Sequence, residues 1–526
     1  MKKNLFLLVV TFFMCGKVLA GGILTNTNQS VHFLRNPARD ASTEIDAAYT
    51  NPAGLAKLSG EGFHFSFNNQ SAFQTRTITS TFAPFAGFGG DATKVFKGEA
   101  SAPIIPSLLG AYKKGNWVFS GVIAVTGGGG KATFNKGLPS FEAPISMLPL
   151  QLKGKGIPTD QYRVDAYMEG SSFIYGAQLG GTYSINEMFS VYGGFRMNIV
   201  NNSYVGHLRN ISINPTHPTL NPTGQMMLAN TFFINAQQAA QTASASLQPI
   251  ISAGAGEYTL NQLVAVGQMT QAQVNQLAGG LGLSPQVAGA MQVTQVQGAF
   301  NQAAATYEAS ANQVADKNLD CSQSGWGITP IIGVNYNWKN LNVGAKYEFI
   351  TSLNVENKTK IDDTGQFPDG VNTPSDIPAL LTVGAQYAII PSVKVSAGYH
   401  HFFDSNAKMA NDKQKYINGG INEYLFGAEW QIDKMFLISA GGQVTRTGVT
   451  DPYQADMSFS LNSYSIGFGG AVNVSKTVRI NIGYFFTKYE DWIKRPNPLA
   501  DSMYPPETDV FSRTNKVFGA GVDFRF

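Results

Sequence analysis

The sequence has 526 residues, with 37 basic and 34 acidic side chains and a formal net charge of +3, so it lacks the basic field that a nucleic-acid partner requires. Two cysteines and six scattered histidines provide neither a disulfide framework nor zinc-ligand spacing, and no metal or cofactor is expected. Only 13% of the residues are charged, whereas 12% are aromatic and 56 are glycines, which favours a membrane protein or a large secreted β-protein.

The first twenty residues, MKKNLFLLVVTFFMCGKVLA, have the pattern of a secretory signal peptide. Two lysines precede an apolar core, and small residues precede the expected cleavage after Ala20. The core is shorter than the roughly 20 apolar residues that a membrane-spanning helix needs. Removal of the three lysines in this segment brings the formal charge close to zero.

Residues 21–58 do not alternate between polar and apolar positions and contain the stretch AAYTNPAGLAKL. Asn51 can cap a helix and Pro52 fits its first turn, where no amide donor is needed. Thirty-eight residues are too few to form a core of their own. We therefore expect this segment to pack inside a larger structure.

The remainder, residues 59–526, reads as a transmembrane β-barrel. No run of 18 apolar residues follows Ala20, which leaves a closed barrel as the membrane architecture. Apolar side chains alternate toward one face in segments such as TNKVFGAGVDFRF. Fourteen strands are predicted, starting near Gly62, Pro103, Asn116, Ser171, Met188, Gly325, Leu341, Ile377, Ser392, Glu423, Met435, Ser463, Thr477 and Thr514.

Two further features favour a membrane barrel over a secreted β-sandwich, which remains the alternative. Short turns such as KKGN and WKNLN alternate with long polar connections, as in outer-membrane barrels. Aromatic residues cluster at both ends of the lipid-facing strands, where a sandwich would bury them in mid-strand. One set lies beside the short turns and the other lies toward the long loops: Tyr183, Trp338, Tyr387 and Trp430, then Tyr347, Tyr399, Tyr484 and Phe486.

The third strand contains four consecutive glycines, Gly127, Gly128, Gly129 and Gly130. Glycine weakens a strand interior, because it loses more conformational entropy on folding and offers no side chain to pack. The run predicts either a place where the strand leaves the barrel wall or a flexible exit into the following loop.

The long connection at about residues 213–324 is rich in Ala, Gln and Ser and reads as a helical extracellular insertion. Ser284 can cap a helix that starts at Pro285, and Thr270 begins another that ends at Gly279-Gly280. We favour a cap packed on the barrel mouth, and the alternative is a surface that collects substrate.

The predicted lumen carries few charges and becomes apolar toward its outer end, which favours a hydrophobic cargo. Ile350, Phe402 and Phe485 alternate with lipid-facing neighbours and are expected to line a ligand site. Inward basic residues could pair with a cargo carboxylate or, more simply, with Glu348 and Glu429. These basic residues are Arg196, Lys346, Lys394 and Arg479.

Taken together, the Asn51-Pro52-Ala53 motif, the fourteen strands, the glycine-rich third strand and the helical insertion make the chain resemble the FadL/TodX family of outer-membrane transporters for hydrophobic compounds. The resemblance implies that residues 21–58 form a hatch that plugs the barrel. It also implies that an inward kink at Gly127–Gly130 opens the wall, so that cargo such as a long-chain fatty acid diffuses passively and laterally into the membrane. Residues 22–46 do not match the best-known fatty-acid member closely, so its ligand contacts do not carry over.

Alternative functions remain open at this point. A haem receptor would need an axial ligand such as His400 or His401, and a general porin would need a charged lumen. No G-x-S-x-G motif or catalytic triad is found, so an enzyme is not expected. The expected setting is the outer membrane of a Gram-negative bacterium, with lipid and lipopolysaccharide around a monomer. The C-terminal strand ending at Phe526 is expected to be read by the barrel-assembly machinery.

Overall fold

In the computed structural model, the protein is described over residues 25–88, 90–495 and 507–526. The predicted signal peptide lies outside these residues. The described chain forms one antiparallel sheet that closes on itself, because the first strand pairs with both the second and the last. Among the described residues, no helix is long and apolar enough to cross a membrane.

Eighteen strand segments build the sheet. They are β1 (Gly62–Phe82), β2 (Thr93–Lys114), β3 (Trp117–Phe134), β4 (Tyr162–Ser184), β5 (Phe189–Ile213), β6 (Met227–Leu228), β7 (Lys317–Trp338), β8 (Leu341–Glu348), β9 (Asn354–Asp362), β10 (Asn372–Pro374), β11 (Leu380–Ile390), β12 (Val393–Phe402), β13 (Ile421–Gln431), β14 (Phe436–Arg446), β15 (Ser463–Asn473), β16 (Val478–Tyr489), β17 (Trp492–Lys494) and β18 (Glu507–Arg525).

These segments make fourteen barrel strands, as the sequence predicted. β8 and β9 form one interrupted strand against β7, and β10 and β11 form the next. β6 is a two-residue addition to β5, and β17 extends the edge of β16 along β18. The wall is closed by nineteen consecutive residue pairs between β1 and β18.

Along each strand, successive side chains point alternately into the lumen and toward the lipid. In β5 buried and exposed residues alternate along most of its length, and the outward positions include Phe195, Met197 and Ile199. Aromatic pairs mark both membrane interfaces, for example Trp117 with Tyr183 at 4.7 Å between ring centroids beside the short turns. Tyr484 with Phe518 at 4.7 Å lies toward the long loops. The assignment of the two predicted aromatic girdles to the membrane interfaces stays a prediction.

Several strands begin earlier than their sequence pattern indicates. β2 starts at Thr93 instead of Pro103, β4 at Tyr162, β7 at Lys317 and β18 at Glu507. These extra residues belong to the ends near the long loops. A strand of 25 residues is about 80 Å long and crosses a hydrocarbon layer of about 30 Å, so its outer end lies beyond the lipid. Lipid no longer selects apolar residues there, and the alternating signal disappears.

Nine α-helices lie in the described chain. They are α1 (Val31–Arg35), α2 (Ala47–Thr50), α3 (Pro139–Ser146), α4 (Leu148–Gly154), α5 (Ala229–Ile250), α6 (Leu260–Ala265), α7 (Gln271–Gly280), α8 (Pro285–Gly289) and α9 (Val293–Gln313). Residues 25–58 carry α1, α2 and a 3-10 turn at Pro52–Lys57, and almost all of them are buried inside the barrel.

The helical insertion is a hairpin of α5 and α9 closed by three short helices. Its base packs on α4 and the end of β5 through Phe232, Phe233 and Val314. Its distal part has a separate core around Leu263, Val296 and other apolar residues of the hairpin itself. The cap interpretation therefore holds only for the base, because the rest of the hairpin contributes its apolar side chains to its own core.

Candidate functional site

The barrel wall is open between β2 and β3. Near the short turn, residues 108–114 of β2 pair with residues 117–123 of β3. Near the long loops, residues 98–100 of β2 pair with residues 132–134 of β3. Between these two stretches, residues 101–107 of β2 form no strand pairs with residues 124–131 of β3. β2 stays bonded to β1 and β3 stays bonded to β4, so the interruption is a window in the wall.

The four glycines form the β3 side of this window. Between Val125 and Gly130, β3 fits two extra residues against β4, and the backbone takes left-handed conformations at Gly128 (φ +102°) and Gly130 (φ +70°). A Cβ atom on Gly128 would lie 2.2 Å from the carbonyl oxygen of Ser172. Both the dihedral angle and the close approach require glycine at this position.

Two prolines form the β2 side, and the sequence analysis did not interpret them. Pro103 and Pro106 lie within the unpaired stretch of β2, where a proline offers no N–H to a neighbouring strand. The prediction that the strand begins at Pro103 is therefore wrong, since the prolines stand in its middle. The motif SAPIIPS facing GGGG on the next strand is the signal that could have located the window.

The beginning of the hatch binds the kinked part of β3 from inside the barrel. Thr25 forms a β-bridge with Gly127, and the Asn26 N–H donates to the Thr126 carbonyl oxygen at 2.9 Å. The Asn26 side chain also donates to the Gly128 carbonyl oxygen at 3.4 Å. The hatch thus provides hydrogen-bond partners for backbone groups of β3 that have no partner in β2. The position of the hatch is therefore coupled to the conformation of the window.

A cavity of about 170 Å³ lies directly behind the window. Its wall includes Ala102 and Ile105 of β2, Gly128–Gly130 of β3 and Asn26 of the hatch. A second cavity of similar volume adjoins it, and both share Asn26, Asn28, Tyr489, Arg513 and Asn515. The lumen therefore holds two neighbouring cavities on the inner side of the window.

The Asn51-Pro52-Ala53 motif lies deep in the barrel. Asn51 is 1% exposed, Ala53 is 0% exposed, and Pro52 is also buried. Asn51 stands at the cap position of the 3-10 turn, but its side chain makes no capping bond. It donates instead to the Ser42 carbonyl oxygen at 3.0 Å and to Asn335 Oδ1 of β7 at 2.8 Å. The expected helix cap is therefore wrong, and Asn51 attaches the hatch to the wall.

Arg39 is the centre of an ion-pair network that holds the hatch. It is 1% exposed and donates to Asp46 at 2.7 and 2.9 Å, to Glu44 at 2.9 Å and to Glu429 of β13 at 3.0 Å. Burial opposes ionisation of Asp46, but the charge and hydrogen bonds of Arg39 outweigh it and hold the pKa of this carboxyl below its usual range.

Glu44 connects the same network to a second wall strand. Its side chain accepts from Arg479 of β16 at 2.9 Å. Burial opposes its ionisation as well, yet Arg479 and then Arg39 lower the pKa of Glu44 well below its usual range. Arg479 is therefore committed to the hatch.

Arg196 and Lys346, two of the predicted ligand-binding residues, form a triad with Glu348. Arg196 donates to both Glu348 oxygens at 2.7 and 2.9 Å, and Lys346 Nζ donates to the same carboxylate at 2.7 Å. Both cations also lie over the ring of Tyr49 in the hatch, at 4.7 and 4.8 Å from its centroid. Both cations are paired with Glu348 within the protein, as the simpler interpretation expected.

The three apolar candidates do not share one environment. Phe402 and Phe485 are 4% and 6% exposed and line the second cavity, where Phe485 meets Phe33 of the hatch at 5.8 Å between ring centroids. Ile350 is 39% exposed and lines neither cavity, so the structure does not bring it together with the other two. The strand ends at Glu348, and the alternation that placed Ile350 inside does not continue through the break before β9.

His400 points into the lumen, as one member of the His400-His401 pair had to. Its ring nitrogens lie 2.8 Å from Asp40 of the hatch and 2.9 Å from Glu423 of β13. Nε2 contacts the hatch and Nδ1 contacts the wall, so neither nitrogen is directed at a ligand such as haem iron.

The chain matches no protein-family model and no curated protein sequence. The solved structure of a FadL homologue from Pseudomonas aeruginosa matches with a TM-score of 0.56 and 9% identity, over 96% of this chain and 99% of that chain. The toluene transporter TodX of Pseudomonas putida matches with a TM-score of 0.47 and 15% identity, over 92% and 94% of the two chains. The Ralstonia pickettii toluene transporter TbuX gives 0.45 and 14%, over 91% and 94%. The first likeness confirms the predicted barrel and shows that the chain has the FadL-type fold.

Proposed function

Starting from the FadL-type fold, we propose that the protein takes up hydrophobic small molecules passively across the outer membrane of a Gram-negative bacterium. Cargo enters the lumen from the mouth, reaches the cavity behind the window and leaves sideways between β2 and β3 into the bilayer. The solved structures of similar fold include a FadL homologue and toluene transporters, which supports a hydrophobic cargo.

The window carries this proposal. Its two edges, residues 101–107 of β2 and 124–131 of β3, form no pairs with each other, and prolines and glycines prevent the wall from closing there. The exposed Ile104, 74% accessible, lies on the outer face of the same stretch, where a hydrophobic molecule would meet lipid. The buried hatch obstructs a straight aqueous path, which disfavours a general porin.

In this proposal the hatch acts as the gate. Asn51 and the Arg39 network hold its body, while Thr25 and Asn26 hold the β3 kink. Displacement of Thr25 and Asn26 would enlarge the path between cavity and window without unfolding the barrel. The protein acts as a monomer, and its C-terminal strand ending at Phe526 serves barrel assembly.

The test replaces Gly127–Gly130 with Val-Thr-Val-Thr, so that β3 can continue along the wall. Cells of a Gram-negative host that express the protein are given radiolabelled hexadecanoate or toluene, and folding is checked by heat-modifiable mobility on gels. Gly193→Val is the matched control, because Gly193 lies in a fully paired strand and a Cβ there meets nothing within 4 Å.

We expect uptake above the empty host for the wild type and the control, and uptake at the empty-host level for the Val-Thr variant. Unchanged uptake by a folded Val-Thr variant would contradict lateral exit. Failure of the wild type to exceed the empty host with either compound would contradict hydrophobic uptake.

A further inference from the structure

The apolar outer face of three strands on one side of the barrel ends in a basic residue. Along β14, β16 and β18, the outward positions are apolar or aromatic from the short turns toward the long loops, apart from one glycine. The next outward residue is Arg446 on β14, Lys488 on β16 and Lys516 on β18. The residues directly below them on the same outer faces are Val444, Phe486 and Phe518. The three cations therefore stand where the apolar face stops.

The side chains of these cations point away from the lumen. Lys488 and Lys516 are exposed, whereas the adjacent Thr487 and Val517 are 4% and 2% exposed and face inward. The Arg446 side chain is 38% exposed. Because successive side chains of a strand point to opposite faces, all three cations lie on the outer surface of the wall.

Neither Lys488 nor Lys516 has an acidic partner in the part of the chain that the structure describes. Three other outward lysines do pair with an acid: Lys97 with Glu99 at 2.7 Å, Lys131 with Glu169 at 2.8 Å and Lys360 with Asp320 at 3.3 Å. Lys488 and Lys516 therefore lack the neighbouring carboxylate that those three lysines have.

Arg446 has one acidic neighbour on the same surface. Its guanidinium lies 3.7 Å from Glu490 and over the ring of Tyr464, at 4.7 Å from the ring centroid. Asp491, the next acid along the chain, is three residues beyond Lys488, a distance of up to about 10 Å along an extended chain. A single carboxylate thus contacts this group of three cations.

The strand register sets the width of the group. Lys488 lies opposite Thr514, so Lys516, two residues away on β18, is its diagonal neighbour at about 7–8 Å. β14, which carries Arg446, is three strand spacings from β18, and this corresponds to about 14 Å. We call Arg446, Lys488 and Lys516 the outer basic row. Its width exceeds that of one phosphate group and fits a head group that carries two.

The wall below the outer basic row is an apolar surface. Its outward side chains include Phe73, Ile466 and Phe518, which are 46%, 62% and 51% exposed. Phe73 and Phe518 meet edge to face at 6.5 Å between ring centroids across the closure of the barrel. A lipid with acyl chains and a phosphorylated head would contact the apolar surface and the cations at the same time.

We propose that the outer basic row binds the phosphate groups of an outer-leaflet glycolipid whose acyl chains lie against the apolar wall below it. The chemistry that fits is an acylated sugar with two phosphates, as in the lipid A part of lipopolysaccharide. This inference uses the outer-membrane setting of the proposed function and concerns the surrounding lipid instead of the cargo. The phosphates supply the negative charge that Lys488 and Lys516 lack within the described chain.

The test measures binding of two probes to the full detergent-folded protein by native mass spectrometry. The probes are lipid A and monophosphoryl lipid A, which differ in one phosphate. The variants are Lys488→Gln, Lys516→Gln and the double substitution, with Lys488→Arg as the conservative variant. Lys476→Gln is the matched control, because Lys476 is an exposed lysine in the short turn between β15 and β16, at the opposite end of the same wall.

Each Gln substitution is expected to weaken lipid A binding about fivefold, and the double substitution about 25-fold, as for the loss of one or two cations near an anionic lipid surface. Monophosphoryl lipid A should bind the wild type more weakly than lipid A. Lys488→Arg and Lys476→Gln should bind lipid A as the wild type does. Added salt should weaken lipid A binding to the wild type more than to the double variant, because fewer charge contacts remain to be screened.

Three outcomes would overturn the site. These are binding of lipid A by the double variant within about twofold of the wild type, equal binding of the two probes by the wild type, and a loss in Lys476→Gln as large as that in Lys488→Gln. The last would show an effect of net charge alone. Because the three cations face away from the lumen, uptake of hydrophobic compounds by the double variant should equal that of the wild type, so the two proposals are tested separately.

Discussion

Removal of the Arg39 side chain, as in Arg39→Met, should release the hatch while the barrel stays intact. Methionine has a similar length and no charge, so it fills the space without donating to Asp46, Glu44 or Glu429. Two of these carboxylates keep a second cation, since Glu429 still contacts Arg35 and Glu44 still contacts Arg479. Asp46 keeps only the Ser42 hydroxyl, at 2.7 Å.

The expected free-energy cost follows from the partners that each carboxylate loses. One buried carboxylate, Asp46, loses its cation, and breaking a buried pair in this way costs about 3–5 kcal/mol. The loss falls on the hatch, because the strand pairing around it does not involve Arg39. At about 1.4 kcal/mol for each factor of ten, the open population of the hatch should rise about 140- to 3,700-fold.

Hydrogen exchange measured by mass spectrometry on the detergent-folded protein reports this population. Peptides covering residues 30–58 should exchange faster by that factor, while peptides from β1 and β5 keep their protection. Arg209→Met serves as control, since Arg209 is exposed and bonds only Asn318. Hatch exchange within threefold of the wild type would refute the assignment of Arg39 as the main anchor.

Two other expectations follow from the same structure. Glu44 and Asp46 have lowered pKa values in the folded hatch, so their stabilisation is present above about pH 4 and is lost as the pH falls further; hatch exchange, corrected for its intrinsic rate, should accelerate below that pH. Unchanged protection at about pH 3 would contradict this. Phe300→Ala should cost about 3–5 kcal/mol within the helical hairpin alone, because Phe300 is 2% exposed in the hairpin core. Limited proteolysis should then cut the hairpin while the barrel keeps its heat-modifiable mobility, and a barrel that unfolds with it would contradict the separate core.

The structure connects the Arg39 network and the window through a short stretch of chain. Thr25 and Asn26, which bind the kink, precede Arg39 by about a dozen residues, and α1 lies between them. Val31 at the start of α1 donates its N–H to Asn68 of β1 at 3.0 Å. A hatch released at Arg39 therefore retains attachments near the window, and partial opening is possible without expulsion of the hatch.

Most of the fold could be predicted because lipid imposes a strict period on each strand. All fourteen strands were found within about ten residues of their starts, and the aromatic residues beside the turns marked their ends. Errors lie where lipid does not act, at the outer ends of β2, β4, β7 and β18. Ile350 follows the break after Glu348, where the strand has ended. Alternation carries no information across a segment that leaves the sheet.

The candidate site was predicted only in part. Gly127–Gly130 could be predicted as a special site because a glycine run is anomalous within one strand. The role of Pro103 and Pro106 could not be predicted, because it depends on which strand lies opposite them. The hydrogen bond between Asn51 and Asn335 joins residues 284 positions apart and leaves no local pattern. Sequence reasoning treated each residue singly and had no means of finding which side chains meet across the lumen.

By itself, the sequence determined the barrel, its strand number and its inside and outside, because each of these follows from a local two-residue period and from turn chemistry. Only the tertiary structure decided where the wall opens, which side chains hold the hatch and which charges in the lumen pair with each other. The physical reason is that hydrogen bonds and ion pairs across a closed barrel depend on register and on residues hundreds of positions apart. That register is fixed only when the last strand meets the first.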